Sequence, residues 1–585
     1  MVEQAEIIED ALSIPIPSAD NLVLDDYRRL TGPGLLWGKA GAVLDVFFQD
    51  IDTDKVIRLW QSHARRVLNA IGWENEHLTE RRFTGGVNLA ISAPMDQLYS
   101  AIFATQTAWH FCAGELLEQP TQDFDTMIAD IKGVMVREAN PALIRLIEAA
   151  GKHGVDVLCD DNNVSLGHGT GSQTWPVTDL PKPEDINWDK LHDVPVALIT
   201  GTNGKTTTTR LSSAIGKAAG MVSGLTSTEF VRVGDDILDF GDYSGPGGGR
   251  MLLRDQRLEI AYLEVARGGI LRRGLPLRQA RAALVTNVAA DHLGQFGVNT
   301  VEELAVAKFA VHRTLTEDGV LVLNADDDYV VAEAARTSVT IWWFSLDGNN
   351  PQIAEALKTG SPCAWLDDGA LVFFDGKTET SIINVDDIPL TLNGAARYNI
   401  SNALGALCLS RALELGDDAI RAGLSGFQNN PQDNPGRCNE FDVDGARVFV
   451  DFAHNPHSIA AVTAAMRAVP AKRRFVLLGH AGDRSDQDIR DVTASALALA
   501  PDYVMAAENP GYLRGRELGE ISALIHDECR VRGLPDEQLM NADTPSDGVA
   551  KILEKLEPGD LALLLILSER DQIFQMLEQA TSGLG

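Results

Sequence analysis

The chain has 585 residues, 45% of them hydrophobic and 23% charged, which suits about three α/β domains. A formal net charge of −33 disfavours nucleic acid phosphates as partners, and no apolar run approaches the length of a membrane span. Six scattered cysteines without a C-x-x-C pair argue against a disulfide framework or zinc site; with an acidic start that lacks an apolar signal core, they point to a reducing cytoplasm.

Residues up to about 25 read as a loose leader. Strand-like runs follow at Ala42–Phe48 and Gly86–Ser92, then a helical stretch at Pro94–Leu117. Within that helix His110, Glu115 and Glu118 include a single histidine, too few for a metal cluster. A helix after Ala139, a strand at Val155–Cys159 and a glycine-rich turn at Gly167–Gly171 come next. With no G-K behind it, that turn reads as a surface turn rather than a phosphate contact, and Pro181–Asp193 as a linker.

Val194–Thr200 is a short apolar, β-branched run, the pattern of a buried parallel strand. Gly201, Thr202, Asn203 and Gly204 then turn, and Lys205-Thr206-Thr207 opens a helix running towards Gly220. Strand, glycine turn and helix N-terminus together make an anion cradle. Lys205 would reach the outer phosphates of ATP and the Thr206 hydroxyl would sit on magnesium. Ile199 stands where the first glycine of G-x-x-x-x-G-K-[ST] belongs, so the motif here is the shorter G-T-N-G-K-T-T.

Beyond it strands alternate with helices: strands at Ile260–Glu264, Ala282–Thr286 and Val320–Leu323, helices at Val301–Leu315 and Ser401–Leu415. That alternation implies a mostly parallel sheet covered by helices. A further α/β unit begins near Pro435, with strands at Ala446–Val450, Arg474–Leu478, Asp502–Met505 and Leu561–Leu567. Glu264 and the pair Asp291-His292 follow strands, where carboxylates and imidazoles face a ligand crevice; Lys308 lies on a helix. Singly, each has a bland reading as a cap, a loop histidine or an exposed lysine.

Together, G-T-N-G-K-T-T, the strand-end glutamate, T-N-V-A-A-D-H-L and V-E-E-L-A-V-A-K resemble the Mur ligase superfamily. Leu323–Asp327 (L-N-A-D-D), Arg397–Ala403 (R-Y-N-I-S-N-A, with Tyr398 replacing histidine), Pro435–Arg437, Asp451–Pro456 and Gly479–Arg484 follow in the family order. The resemblance covers about residues 190–585. Within it Tyr243–Asp255, Glu264–Leu275 and Tyr512–Ile521 look like the cyanophycin synthetase family, and Asn140–Gly171 looks like the start of that family's ATP-grasp domain. Little chain separates Pro176 from Val194, so the rest of an ATP-grasp domain is missing, and only the Mur-type reaction is expected.

The resemblance implies a P-loop central domain with a parallel sheet and a Rossmann-like C-terminal α/β domain, beside a separate α+β N-terminal domain. The boundaries expected are 1–185, 186–433 and 434–585. It implies an ATP-dependent ligase that activates a carboxylate as an acyl phosphate and joins it to an amino acid, with Lys205, Glu264, His292 and Lys308 catalytic. Thr206 and Glu264 would hold one magnesium; His292 and a carbamylated Lys308 would hold a second. Gly201–Thr207 would cradle the phosphates, Asn399 and Asn402 would contact adenine, and Arg437 and Asp451 would reach the nucleotide.

On the substrate side, Ser244–Arg250 (SGPGGGR) reads either as a flexible acceptor loop, with Ser244 and Arg250 as contacts, or as a mobile surface loop. His454, Asn455, Asp483 and Arg484 would line the pocket for an incoming amino acid, with arginine or lysine as natural guests by family analogy. The family's kin imply a homo-oligomer, and the N-terminal third reads as an oligomerisation or acceptor-docking domain. The competing readings are a catalytically silent pseudo-ligase serving a full-length partner and a P-loop kinase or motor. The intact set of Lys205, Thr206, Glu264, His292 and Lys308 argues against the first, and the D-F-A-H-N-P segment against the second.

Overall fold

A computed structural model describes residues 8–581, which fall into two compact units. The first runs to Trp343 and includes Leu407–Gly416; the second comprises Phe344–Ala406 and the chain from Asp417 onward.

The first unit opens with β1 (Leu22–Leu30), β2 (Gly41–Phe48), α1 (Thr53–Ile71), β3 (Leu78–Phe83), β4 (Gly86–Ser92) and α2 (Leu98–Leu117). The strands form an antiparallel sheet in the order β1-β2-β4-β3. Asp52 caps α1, whose buried Val56, Trp60, Ala64, Val67 and Ile71 recur at helical spacing, and Gly72 at φ 88° ends it. Trp60 and Trp109, both fully buried, anchor the core between helices and sheet. The loose leader expected before residue 25 is corrected. Ile8, Leu12, Ile14 and Ile16 pack on this core, and β1 begins with buried Leu22; residues 1–7 lie outside the described chain.

His110, whose environment the sequence left open, is structural. Its Nδ1 meets the Pro15 carbonyl at 2.6 Å and its Nε2 accepts the Gln122 N–H at 2.9 Å, so both ring nitrogens are spent on backbone.

After α3 (Phe124–Glu138) and α4 (Pro141–His153), β5 (Val157–Cys159), β6 (Asn163–Leu166) and β7 (Gln173–Pro176) form a small antiparallel sheet. The Gly167–Gly171 turn is not on the surface. Gly167, His168 and Gly169 are buried, and a Cβ on Gly169 would lie 2.3 Å from the Leu258 carbonyl, so close packing explains that glycine. The segment read as a linker is also packed: Trp188 stacks on His153 at 4.3 Å, and Leu191 is buried.

Then come β8 (Val196–Thr200), α5 (Lys205–Ala218), β9 (Ser223–Thr226), β10 (Phe230–Val233), β11 (Asp236–Phe240), α6 (Pro246–Leu253), β12 (Ile260–Glu264), α7 (Arg267–Arg272), β13 (Ala280–Val285), α8 (Val301–Phe309), β14 (Leu315–Asn324), α9 (Asp328–Ala334) and β15 (Thr340–Ser345). Strands β9, β12, β8, β13 and β14 are neighbours in that order and run parallel, with β8 in the middle. Strand β8 is buried throughout, as a central parallel strand covered on both faces requires. The helix expected to run to Leu315 stops at Phe309. A tight turn at Ala310–Thr314 follows, closed by Thr314 Oγ1 donating to the Val311 carbonyl at 2.8 Å. The glycine-rich stretch expected as a loop is instead the start of α6, preceded by Gly245.

Further along the chain come α10 (Pro351–Thr359), the antiparallel strands β16 (Cys363–Asp367), β17 (Ala370–Phe374) and β18 (Glu379–Asn384), then α11 (Arg397–Ala412), which belongs to the second unit up to Ala406, and α12 (Asp417–Gly426). The main sheet of the second unit comprises β19 (Asn439–Val443), β20 (Ala446–Asp451), β21 (Arg474–Leu478), β22 (Tyr503–Ala507), β23 (Leu539–Ala542) and β24 (Leu561–Leu565), in the order β19-β20-β24-β21-β22-β23. All neighbours but β19 and β20 are parallel. Helices α13 (Pro456–Ala468), α14 (Asp486–Leu497), α15 (Glu520–Val531), α16 (Pro545–Leu553) and α17 (Arg570–Thr581) complete the Rossmann-like arrangement. The α/β class expected from the sequence is the one adopted. Among the described residues, no helix is long and apolar enough to cross a membrane.

One buried ion pair fixes the N-terminal sheet. Asp45 is wholly buried on β2; Arg28 Nη1 reaches its Oδ2 at 2.6 Å, and Asn88 Nδ2, its cross-strand neighbour, donates to Oδ1 at 2.6 Å. Burial raises the pKa of Asp45, while Arg28 and Asn88 lower it. Arg28→Met leaves a buried carboxylate without its cation and is expected to destabilise the unit by about 3–5 kcal/mol at neutral pH. Because the folded pKa is raised, that loss should shrink as pH falls and Asp45 protonates, which denaturant titrations of both proteins at several pH values would measure.

Candidate active site

The first unit gathers its candidate residues around one turn. Gly201 sits at φ 146°, and a Cβ there would lie 1.8 Å from Thr286 Oγ1, so only glycine fits. Gly204, at φ 85°, directly precedes α5 and has no side chain to cap it. The turn is braced from the segment after β13. The Thr202 N–H donates to the Asn287 carbonyl at 2.8 Å and the Asn203 N–H to Asn287 Oδ1 at 2.9 Å, while Thr286 Oγ1 donates to the Asn203 carbonyl at 2.6 Å. The Thr202 hydroxyl donates to the Ala289 carbonyl at 3.1 Å and accepts from its N–H at 3.0 Å.

Lys205 Nζ folds back onto the Thr202 carbonyl at 2.9 Å. Thr206 Oγ1 donates to Glu264 Oε1 at 3.1 Å, which joins the first turn of α5 to the carboxyl end of β12; Glu264 and Thr207 are buried. Lys308, on α8, is buried and donates from Nζ to the Gly201 carbonyl at 2.7 Å. Burial holds its pKa well below the usual lysine range; the nearby Lys205 and Arg267 charges push the same way, and Asp291 opposes them. Lys205, Thr206, Glu264 and Lys308 are therefore brought to one place, although 103 residues of chain separate the first from the last.

His292 stands in the loop after β13 at φ 49°, with a half-exposed ring 3.8 Å from Asp291 Oδ1. Arg267 grips the same loop, donating to the His292 carbonyl and, at 2.7 Å, to Gln295 Oε1. Ser244 donates to Asp242 Oδ1 at 2.6 Å, and its carbonyl accepts the Ala266 N–H at 3.0 Å. Ser244, Gly245 and Pro246 share a cavity of about 10 Å³ with Glu264 and Thr226. Arg250, expected on a flexible loop, is held within α6: its Nη2 donates to Thr31 Oγ1 at 2.8 Å and its guanidinium is mostly buried.

In the second unit Asn399 Nδ2 donates to the Leu390 carbonyl at 2.9 Å, and Asn402 Nδ2 to Asn399 Oδ1 at 3.1 Å. Asp451, at the end of β20, accepts the Ala453 N–H at 2.7 Å, and Arg437 lies over the Phe452 ring at 4.9 Å. Burial pushes the Asp451 carboxyl up to about 6 against the pull of Arg437. Asn455 caps α13, accepting from the Ser458 N–H at 2.9 Å, and His454 Nδ1 meets the Phe452 carbonyl at 3.0 Å. Asp483 is paired with Arg514, and Arg516 Nη2 donates to the Arg484 carbonyl at 2.7 Å.

Four residues near these sites went unassigned in the sequence. Thr286 and Asn287 brace the turn, Arg267 holds the His292 loop, and His480 is buried between β21 and Ala481. A polar pair directly after a buried parallel strand was the available signal for the first two. His480 has neither ring nitrogen hydrogen-bonded among the described residues, and burial, with Arg484 and His454 nearby, pushes its pKa down to about 4.

The model of the Mur ligase middle domain matches residues 199–410, and that of the Mur ligase glutamate ligase domain matches residues 436–565. The chain belongs to the Mur ligase family. A cyanophycin synthetase from Trichormus variabilis is 38% identical over 372 residues, covering 62% of this chain and 41% of that protein. One from Crocosphaera subtropica is 34% identical over 451 residues, covering 76% and 48%. The chain thus spans less than half the length of these relatives. Escherichia coli FolC, solved with DHPP and ADP, is 20% identical with a TM-score of 0.50, covering 67% of this chain and 89% of that one; it bears on fold alone. Asp451, at the end of β20, carries a pH signature. Because its folded pKa of about 6 lies above the unfolded value near 3.8, it favours folding at acid pH, and that contribution is lost as pH rises through 6. Asp451→Asn is expected to flatten the decline of thermal stability between about pH 4 and pH 7, an effect of up to about 3 kcal/mol, readable from melting curves across that range.

Proposed function

We propose that the chain is an ATP-dependent ligase that activates a carboxylate as an acyl phosphate and joins it to the amine of an amino acid, releasing ADP and phosphate. The observation that carries this reading is the convergence of Lys205, Thr206, Glu264 and Lys308 on the Gly201–Gly204 turn in a Mur ligase family chain. An acid attacking a γ-phosphate brings anions together, so the site must supply positive charge and oriented dipoles. Lys205 and the start of α5 supply both.

The Thr206 hydroxyl and the buried Glu264 carboxylate are hard oxygen donors, a set that fits magnesium. Magnesium held there would offset charge between the phosphates and the attacking acid. Lys308, whose ammonium form burial disfavours, is a nucleophile suited to carbon dioxide. Its nitrogen would form the N–C bond and release a proton, giving a carbamate that, with His292, would hold a second magnesium.

Ser244 and Arg250 are proposed for the acid substrate. Asn399 and Asn402 are proposed for adenine, Arg437 and Asp451 for the nucleotide, and His454, Asn455, Asp483 and Arg484 for the incoming amino acid. The proposed domains are 1–185, 186–433 and 434–585.

Phosphate release from ATP and magnesium, measured across a matrix of amino acids and carboxylic acids, tests the reading. Release should require one acid and one amine together, and Lys205→Ala should lower it by at least about a hundredfold. Nucleotide binding without release from any pair would sink the proposal. For Lys308, release should fall in buffer depleted of carbon dioxide and return with added bicarbonate, whereas Lys308→Arg should be inactive in both. Activity indifferent to carbon dioxide would remove the carbamate from the scheme.

A further inference from the structure

The small sheet β5-β6-β7 contributes no residue to the chemistry proposed above, yet one side chain spends four hydrogen bonds on it. Arg254 closes the carboxyl end of α6. Its Nε donates to Ser165 Oγ at 2.7 Å and its Nη1 to Asp160 Oδ2 at 2.5 Å; its Nη2 donates to the carbonyls of Asn163 at 3.1 Å and Leu158 at 3.5 Å. Bonds also return from the sheet side: Ser172 Oγ donates to the Arg254 carbonyl at 3.3 Å, and the Thr170 N–H to the Leu258 carbonyl at 2.9 Å.

Helix α6 needs such an anchor. It has eight residues, of which Gly247, Gly248 and Gly249 are consecutive, and each glycine costs about 1 kcal/mol in a helix relative to alanine. A helix so short and so poor in propensity is held by tertiary contacts or not at all. Two of the glycines have a packing reason. A Cβ on Gly248 would lie 2.4 Å from the Tyr243 carbonyl, and one on Gly249 would lie 2.6 Å from Pro276 Cγ. The helix has given up intrinsic stability for close approach, and its N-terminal approach, Ser244-Gly245-Pro246, shares a cavity with Glu264.

We infer that Arg254 is a positioning residue, through which the β5–β6 hairpin holds the glycine-rich helix α6 beside Glu264 in the placement that the acid substrate meets. The link to the acid substrate rests on the ligase reading; the clamp itself does not. Hydrogen exchange on the full chain, read by mass spectrometry, separates the two. In Arg254→Ala, amides of residues 249–253 should exchange at least about tenfold faster, the loss expected for charge-assisted hydrogen bonds, while the hydrogen-bonded amides of 208–218 stay unchanged. Ser165→Ala, which removes one of the four bonds, should give a smaller rise over the same residues and keeps the test open if Arg254→Ala does not fold. Unchanged exchange at 249–253 in both variants would overturn the clamp, as would an equal rise at 208–218, which would make Arg254 a general stabiliser.

Kinetics then test the second clause. With the acid and amine pair that supports release, Arg254→Ala should raise KM for the acid about tenfold, leave KM for ATP within about twofold, and be partly rescued by Arg254→Lys. Equal changes in both KM values would overturn the placement role. If no pair supports release, the ligase reading fails while the exchange result still decides the clamp.

Discussion

Two lysines beside one glycine turn set the terms for the first unit. Lys205 and Lys308 both donate to carbonyls of the Gly201–Gly204 turn, and the charge of Lys205 helps hold Lys308 below the usual lysine pKa. Adding Arg267 and the N-terminal dipole of α5 concentrates positive potential on a few ångströms of backbone. Such an arrangement favours a polyanion at the turn and disfavours the charged form of Lys308 behind it. Glu264 and Asp291 are the local counter-charges. The parallel strands β8, β12 and β13 exist side by side in a register that delivers Thr200, Glu264 and Val285 to the same end of the sheet.

Around that turn, the N-terminal third works as scaffolding within the first unit. Arg28 Nε donates to the Leu271 carbonyl at 2.9 Å, Arg81 to the Gly297 carbonyl at 2.9 Å, and Arg313 Nη1 to the Gly34 carbonyl at 3.0 Å. The Thr31 N–H donates to the Arg273 carbonyl at 2.8 Å, and the Leu275 N–H to the Pro33 carbonyl at 2.6 Å. These contacts fall on α7, on the loop that carries His292, on the approach to β13 and on the Ala310–Thr314 turn after α8. Arginine suits the task because its donors satisfy loop carbonyls that secondary structure leaves open. The N-terminal sheet, separate from the parallel sheet, therefore braces the loop that carries His292 and the stretch from α7 to β13.

What the sequence disclosed follows from how local each signal is. The strand-turn-helix at Val196–Ala218 was legible because β-branched residues, two glycines and G-K-T sit within two dozen residues. The alternation of the second unit was legible for the same reason. Hydrogen bonds such as Lys308 to Gly201, 107 residues apart, leave no spacing signal; only family resemblance put those residues together. The SGPGGGR segment misled because glycine propensity argues for a loop, and tertiary anchoring through Arg250 and Arg254 overrides propensity. The leader misled likewise: isoleucines spaced among acids look solvated until β1 supplies a surface to cover.

The same tension between local preference and tertiary demand recurs in the second unit. Asp451 ends a buried strand where its charge is disfavoured, and Cys438 adopts φ 58°, a conformation that side chains other than glycine, asparagine and aspartate seldom take. Tyr398 buries its hydroxyl against both, and its pKa is raised by burial and by their proximity. Three residues with unfavourable local states are thus packed against one another on one side of the sheet. Each alone would cost stability, and they coincide at the carboxyl end of β20, the end at which open α/β sheets bind ligands. A cationic or hydrogen-bonding ligand that favours the ionised Asp451 would lower its pKa and return part of that stability, so the strain is of a kind that ligand binding relieves.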